Sequence, residues 1–382
     1  MHDVLVIGGS LAGAATAIHL VESGHDVVLL ERHSTYQRKT CGEGLSPLGV
    51  AELTRLGVLD ALTGASQPLS GVRFNAGDAS AMAPLGAGPG LGVQRTALDC
   101  AVLDRARTAG VDIRLGVTAR KLLIENRQAA GVTTDSGDIR ARTIIGADGL
   151  NSRIRREAGL DARRRGNRFG ISAHLRLSRE PEHLVDVFFE RGYELYLTPV
   201  GDSVVNAAML IRRTQMKRFA GKLAAEYTAT LREHPVLSAG FEVIDQPLAA
   251  GPFAARAKRA WRANVVLVGD AAGFFDGISG EGMSVALISA RACAEAVEAH
   301  LRDGSFEPFR AYDRHRREMV RNSDLLSHVS LALGSNTALA HYAVRNLARR
   351  PETFAKLAGI NSGELGLRIL RPRDLLALTF GF

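Results

Sequence analysis

The stretch Asp3-Val-Leu-Val-Ile-Gly8-Gly9-Ser10-Leu11-Ala12-Gly13, with Glu31 closing the next apolar run, decides the fold. Asp3 to Gly8 reads as a short buried strand. Leu11 to Ser23 carries Ala14, Ala17, Ile18 and Val21 at helical spacing, and Gly24 supplies the stop. The run Asp26-Val-Val-Leu-Leu-Glu31 is apolar on both faces, as expected of a parallel strand covered by helices on each side, so the chain opens as a βαβ unit. Gly8 suits the tight turn and Gly13 the close approach of helix to strand. The helix start at Ser10, Leu11 and Ala12 would aim its free N–H groups at phosphates, and Glu31, with Arg32 beside it, would accept ribose hydroxyls. Ser10 departs from the glycine usual at that position. Strand, turn, helix and acid in this order indicate a dinucleotide. The second glycine cluster, Gly86-Ala-Gly88-Pro-Gly90-Leu-Gly92, contains a proline and lacks the last fingerprint glycine, so it reads as a flexible loop. One fingerprint implies one stably held dinucleotide.

Working outward, 382 residues at 46% hydrophobic content can bury a large core and suggest more than one domain. The first strand starts too near Met1 for a secretory leader, and polar residues interrupt every apolar run before it could span a bilayer. Cys41, Cys100 and Cys293 give neither a disulfide framework nor metal-ligand spacing, so no metal is expected and a cytoplasmic location is. The net charge of +8 includes clusters at Arg163-Arg164-Arg165, Arg314 to Arg321 and Arg349-Arg350. No nucleic-acid module accompanies them. They read as solvated faces, with peripheral contact to an anionic membrane left open.

The expected architecture is α/β: a discontinuous nucleotide-binding fold over 1–68, 92–165 and 252–300, an inserted antiparallel-sheet substrate domain over 69–91 and 166–251, and a C-terminal helical extension over 301–382. Strands are expected at Asp112 to Leu115, Val117 to Ile124, Arg140 to Ile145 and Asn264 to Val268. Helices are expected at Ala97 to Ala109, Gln215 to Glu233 and along the stripe Met283, Leu287, Ala290, Ala294, Val297 and Leu301. Leu326, Val329 and Leu333 share a helical face, and Leu375 to Phe382 ends the chain on an apolar run; the extension is expected to cover the substrate pocket or meet a membrane.

Gly146-Ala-Asp148-Gly149 and Val268-Gly269-Asp270-Ala-Ala272-Gly273 each follow a strand. With Arg95 opening a helix and with Lys39-Thr-Cys41-Gly-Glu43-Gly44-Leu-Ser-Pro47, they make residues 1 to about 300 resemble the FAD-dependent superfamily of p-hydroxybenzoate hydroxylase-type monooxygenases and geranylgeranyl reductases. The resemblance implies non-covalent FAD, held by the fingerprint, Glu31, Arg95, Asp148 and Asp270. Gly280-Glu-Gly282-Met283 opens a helix whose N–H groups would face the flavin pyrimidine and stabilise charge on reduction. Cys41 becomes a weak catalytic candidate beside the ring. The reductases' Tyr-x-Trp-x-Phe-Pro segment corresponds to Tyr193-Glu-Leu-Tyr196-Leu-Thr-Pro199, which keeps only Tyr193 and Tyr196 as pocket candidates.

The first functional expectation is an NAD(P)H-using monooxygenase acting on an aromatic, quinone-like or lipophilic small molecule, with the nicotinamide donor bound transiently. The alternatives are a reductase of carbon–carbon double bonds and a flavin-binding redox sensor without turnover.

Overall fold

The computed structural model describes residues 1–162, 166–274, 276–334, 336–371 and 374, without the side chains of 279 and 322–333. The Arg163 to Arg165 cluster, the faces of Leu326, Val329 and Leu333, and the run Leu375 to Phe382 therefore lie outside the described residues.

Strand β1 (His2–Ile7), helix α1 (Leu11–Glu22) and strand β2 (Val27–Glu31) form the βαβ unit. Leu5 pairs in parallel with Val28 on one side and Ile144 on the other. From edge to edge the sheet runs Trp261–Arg262, Val265–Leu267, Gly137–Gly146, β1, β2 and Asp112–Leu115. Val4, Leu5, Val6, Val28, Leu29 and Ile144 are fully buried, each contributing about 1.5–3 kcal/mol by leaving water. Helices α2 (Pro47–Leu56) and α3 (Arg95–Ala109) follow, each ended by a left-handed glycine, and the short α4 (Arg153–Glu157) lies beyond the central strand.

The second sheet runs Phe241–Val243, Arg168–Leu177, Val204–Arg212, Tyr193–Gly201, Leu184–Glu190, Gly71–Ala76 and Ala79–Pro84. It is antiparallel except where Leu184–Glu190 meets Gly71–Ala76. One face is closed by α5 (Arg213–Met216) and α6 (Leu223–Arg232). The chain then returns to the first sheet and continues as α7 (Gly282–Asp303), α8 (Glu307–Leu333), α9 (Thr337–Ala348) and α10 (Pro351–Asn361). Helix α7 packs on α1 and α2, while α9 and α10 fold back onto the strand Ala79–Pro84. No helix among the described residues is long and apolar enough to cross a membrane.

Two local expectations need correction, and one strand carries no signal in the sequence. The helix over Gln215 to Glu233 is broken at Ala220-Gly221 into α5, a 3-10 turn and α6. The glycine cluster from Gly86 is only partly a loop: Gly90–Val93 is the middle strand of a small sheet between Gly44–Leu45 and Ser66–Leu69, because cross-chain pairing outweighs its poor local propensity. A strand at Gln128–Thr134 joins Ala119–Glu125 to Gly137–Gly146. Its run Ala-Ala-Gly-Val-Thr-Thr carries no apolar alternation to reveal it.

Candidate functional site

The C-terminal ends of β1 and β2, the N-terminus of α7 and the inner face of the second sheet enclose one large cavity of about 1380 Å³. Ordinary ligand pockets span roughly 300–1,000 Å³, so this one has room for more than one small ligand. Its lining is polar at the end near β1 and apolar under α9 and α10.

At the polar end Gly8 has φ +111°, and a Cβ there would sit 2.4 Å from the Ala147 carbonyl oxygen. A Cβ on Gly13 would lie 1.9 Å from the Gly8 carbonyl oxygen, so the turn and the first helical turn tolerate no side chain at these two points. The Glu31 carboxylate is fixed by the backbone N–H of Gly9 (2.9 Å) and of His33 (3.0 Å), which leaves lone pairs for ribose hydroxyls. Leu11, Ala12 and Arg32 line the same end.

Ser10 acquires a definite role. Its Oγ receives Lys39 Nζ (2.7 Å) and Arg95 Nη2 (3.0 Å) and faces both oxygens of Asp99 (3.2 Å each). Two cations and one buried carboxylate thus meet at the start of α1, leaving net positive charge where a pyrophosphate would lie. Burial works against ionisation of Asp99, but Arg95 and Lys39 outweigh it and hold its pKa below the usual value.

The two motif aspartates have different surroundings. Asp148 lines the cavity, yet its carboxylate accepts from Ser152 Oγ (2.5 Å), Arg153 N (2.6 Å) and Ile154 N (3.1 Å), so it also caps α4. Asp270 lines the cavity from the 3-10 turn Gly269–Ala271. Burial pushes its carboxyl up, against the pull of Arg95, Arg316, Lys39 and Arg155.

Cys41 also lines the cavity, 3.8 Å from Arg95 Nη1. Burial raises its thiol despite that arginine, which argues against a standing thiolate nucleophile. Glu43, two residues on, is buried behind the cavity wall and carries no role in the sequence pattern. It has φ +59°, binds the Arg95 N–H (2.8 Å) through Oε1 and meets His174 Nε2 (2.7 Å) through Oε2. His174 Nδ1 lies 2.7 Å from Asp245, which pairs with Arg38 at 2.5 Å. This chain ties the Cys41 segment to the second sheet. Burial opposes charge on His174, but Glu43 and Asp245 outweigh it and raise its pKa. Only the acid in the quoted motif offered a signal, since His174 and Asp245 are brought in by the fold.

At the other end Val72, Phe74, Val187, Tyr196 and Leu210 come from the second sheet, and Leu347, Phe354 and Leu357 from the two helices above. Tyr196 is held by its hydroxyl on the Ile278 carbonyl (3.1 Å). Tyr193 is a correction: alternation along the strand turns it with Leu195 and Leu197 to the opposite face, where it packs toward α6. Gly280, Gly282 and Met283 line the junction between the halves.

The glycine cradle, the anchored Glu31 and the cationic cluster fit a dinucleotide at the polar end. An FAD-binding-domain family model matches residues 1–323. A digeranylgeranylglycerophospholipid reductase of Methanopyrus kandleri is 30% identical over 83% of this chain and 86% of its own length. A menaquinone reductase of Mycolicibacterium smegmatis is 28% identical over 77% of this chain and 76% of its own. Among solved structures, a flavoprotein/dehydrogenase from Cytophaga hutchinsonii superposes with a TM-score of 0.82 at 20% identity, covering 98% of this chain and 95% of the other.

Proposed function

Because this chain belongs to the FAD-binding-domain family and is an FAD-dependent oxidoreductase, we propose that it reduces carbon–carbon double bonds in the isoprenoid chain of a lipid. Bound FAD would supply the two-electron chemistry. Gly8, Gly13, Ser10, Glu31, Arg95 and Asp270 would hold it, and the start of α7 would bear on its ring.

The observation that carries this reading is the apolar half of the cavity, continuous with the cofactor half and roofed by Leu347, Phe354 and Leu357. An isoprenoid chain can lie there with no polar group to satisfy. The apolar walls would shield the chain from bulk water and bring it to the junction at Gly280 to Met283. Relatives named for polyprenyl lipid and menaquinone reduction support the same substrate class. NAD(P)H as donor is part of the proposal: with one dinucleotide fingerprint, nicotinamide binding would be transient. A peripheral membrane contact is also proposed, supported by exposed Leu339 and Tyr342 on α9 beside Arg345.

Hydroxylation, the first expectation from sequence, shares the enclosed cavity but finds no support in the two reductases. Anaerobic incubation of dithionite-reduced protein with a polyprenyl lipid separates the readings. The expected product gains two hydrogens per double bond without oxygen. Turnover that requires oxygen, with an oxygen atom in the product, would overturn the reductase reading.

A further inference from the structure

Where the polar lining gives way to the apolar, the cavity carries one carboxyl that cofactor binding leaves unassigned, that of Glu281. It stands at the N-cap of α7, between Gly280 and Gly282. The hydroxyls of Ser46 and Ser284 lie near enough to its carboxyl to favour the ionised form. Those serines are joined to each other, Ser46 Oγ to Ser284 Oγ at 2.9 Å and Ser46 N to Ser284 Oγ at 3.0 Å, and are 5% and 1% exposed. Glu281 thus borders the cavity beside Leu45 and Met283, next to the buried pair formed by Ser46, which precedes α2, and Ser284 in the first turn of α7. From the segment after α10, Glu364 adds a like charge.

Building on the reductase reading above, we propose that Glu281 is the catalytic acid that gives up a proton to the double bond during reduction. One π bond breaks and two C–H bonds form. Bound reduced flavin would supply the electron pair as hydride to one carbon, the Glu281 carboxyl would give the proton to the other, and the carboxylate left behind would be reprotonated from solvent. A neutral acid is needed for this, and the site favours one. Burial raises the Glu281 carboxyl to about 7, Glu364 adds to the rise, and the nearby Ser46 and Ser284 hydroxyls oppose it.

The test compares wild-type holoprotein with Glu281→Gln and Glu281→Asp, each reduced with dithionite and given a polyprenyl lipid in heavy water. Glu281→Gln should retain FAD with an unchanged visible spectrum and lose roughly 10²–10⁴-fold in reduction rate, with Glu281→Asp in between. Wild-type rate should fall as pH rises through about 7, because the acid is lost, and the residual rate of Glu281→Gln should lack that fall. Deuterium enters at both carbons, since reduced flavin exchanges its hydrogen with solvent; at the carbon that takes the proton it should arrive on one face in wild type and on both faces in the residual product of Glu281→Gln. A Glu281→Gln rate within a few-fold of wild type, with the same pH profile and deuterium placement, overturns the proposal. If wild type reduces no double bond, the reductase reading fails instead. The acid is then judged by infrared spectroscopy: a protonated-carboxyl band in wild-type holoprotein should vanish as pH rises through about 7, and its absence overturns the assignment. The same band and Glu281→Asp decide the matter if Glu281→Gln loses FAD.

Discussion

At the polar end of the cavity, the consecutive residues Gly8 to Gly13 supply the turn, the helix start and the close packing; at the apolar end, Val72, Val187, Leu210 and Leu347 come from four separate segments. The turn at the polar end is local, set by backbone geometry, although the charges around it come from distant segments. The apolar end is assembled by tertiary packing and defined by shape. A change at the first should therefore act through cofactor affinity, and a change at the second through substrate.

The hardest test of that contrast is Gly13→Val. With a Cβ forced to 1.9 Å from the Gly8 carbonyl oxygen, the helix start must move, and FAD affinity should fall by at least ~100-fold, roughly 2.7 kcal/mol. Flavin absorbance of the purified variant checks this, and a fully yellow protein would break the contrast at its stronger side.

The next effect distinguishes two residues within the polar end. Asp270→Ala removes a cavity carboxyl and should cost roughly 1.5–3 kcal/mol of FAD binding, about tenfold to a hundredfold. Asp148→Ala removes a cap of α4 and should appear mainly as a melting temperature lower by roughly 1–2 °C. Fluorescence titration and thermal melts on both variants sharpen the assignment; equal FAD losses would show that both aspartates serve the cofactor alike.

The smallest effect is expected from Leu347→Trp in the roof. It should raise KM for a polyprenyl substrate by about tenfold through crowding and leave FAD affinity unchanged. Weakened FAD binding in this variant would mean that the two halves are not separable.

The same contrast explains what could be read in advance. The βαβ opening, the dinucleotide turn, Glu31 and the motif aspartates depend on residues close in sequence, so their pattern was visible. Ser10 looked like a defect, because nothing nearby announces that Lys39, Arg95 and Asp99 converge on its hydroxyl. Tyr193 looked like a partner of Tyr196, and only the strand's pleat sends it to the other face. The Glu43–His174–Asp245 chain and the contribution of Leu347, Phe354 and Leu357 depend on contacts between distant segments, which no local pattern encodes.

The roof of α9 and α10 has a consequence for how the molecule is made. Phe354 packs on Phe74, with ring centroids 4.8 Å apart. The wall is complete only once Val204–Arg212 has been made, about 140 positions before Phe354, so at a synthesis rate of about 5–20 residues per second it waits on the order of 7–30 s for its cover. During that interval the edge strand Ala79–Pro84 offers unpaired backbone beside bare hydrophobic side chains. Yield in the cell should then respond to chaperone supply and growth temperature more than to any change in equilibrium stability, because the vulnerable species is the nascent chain.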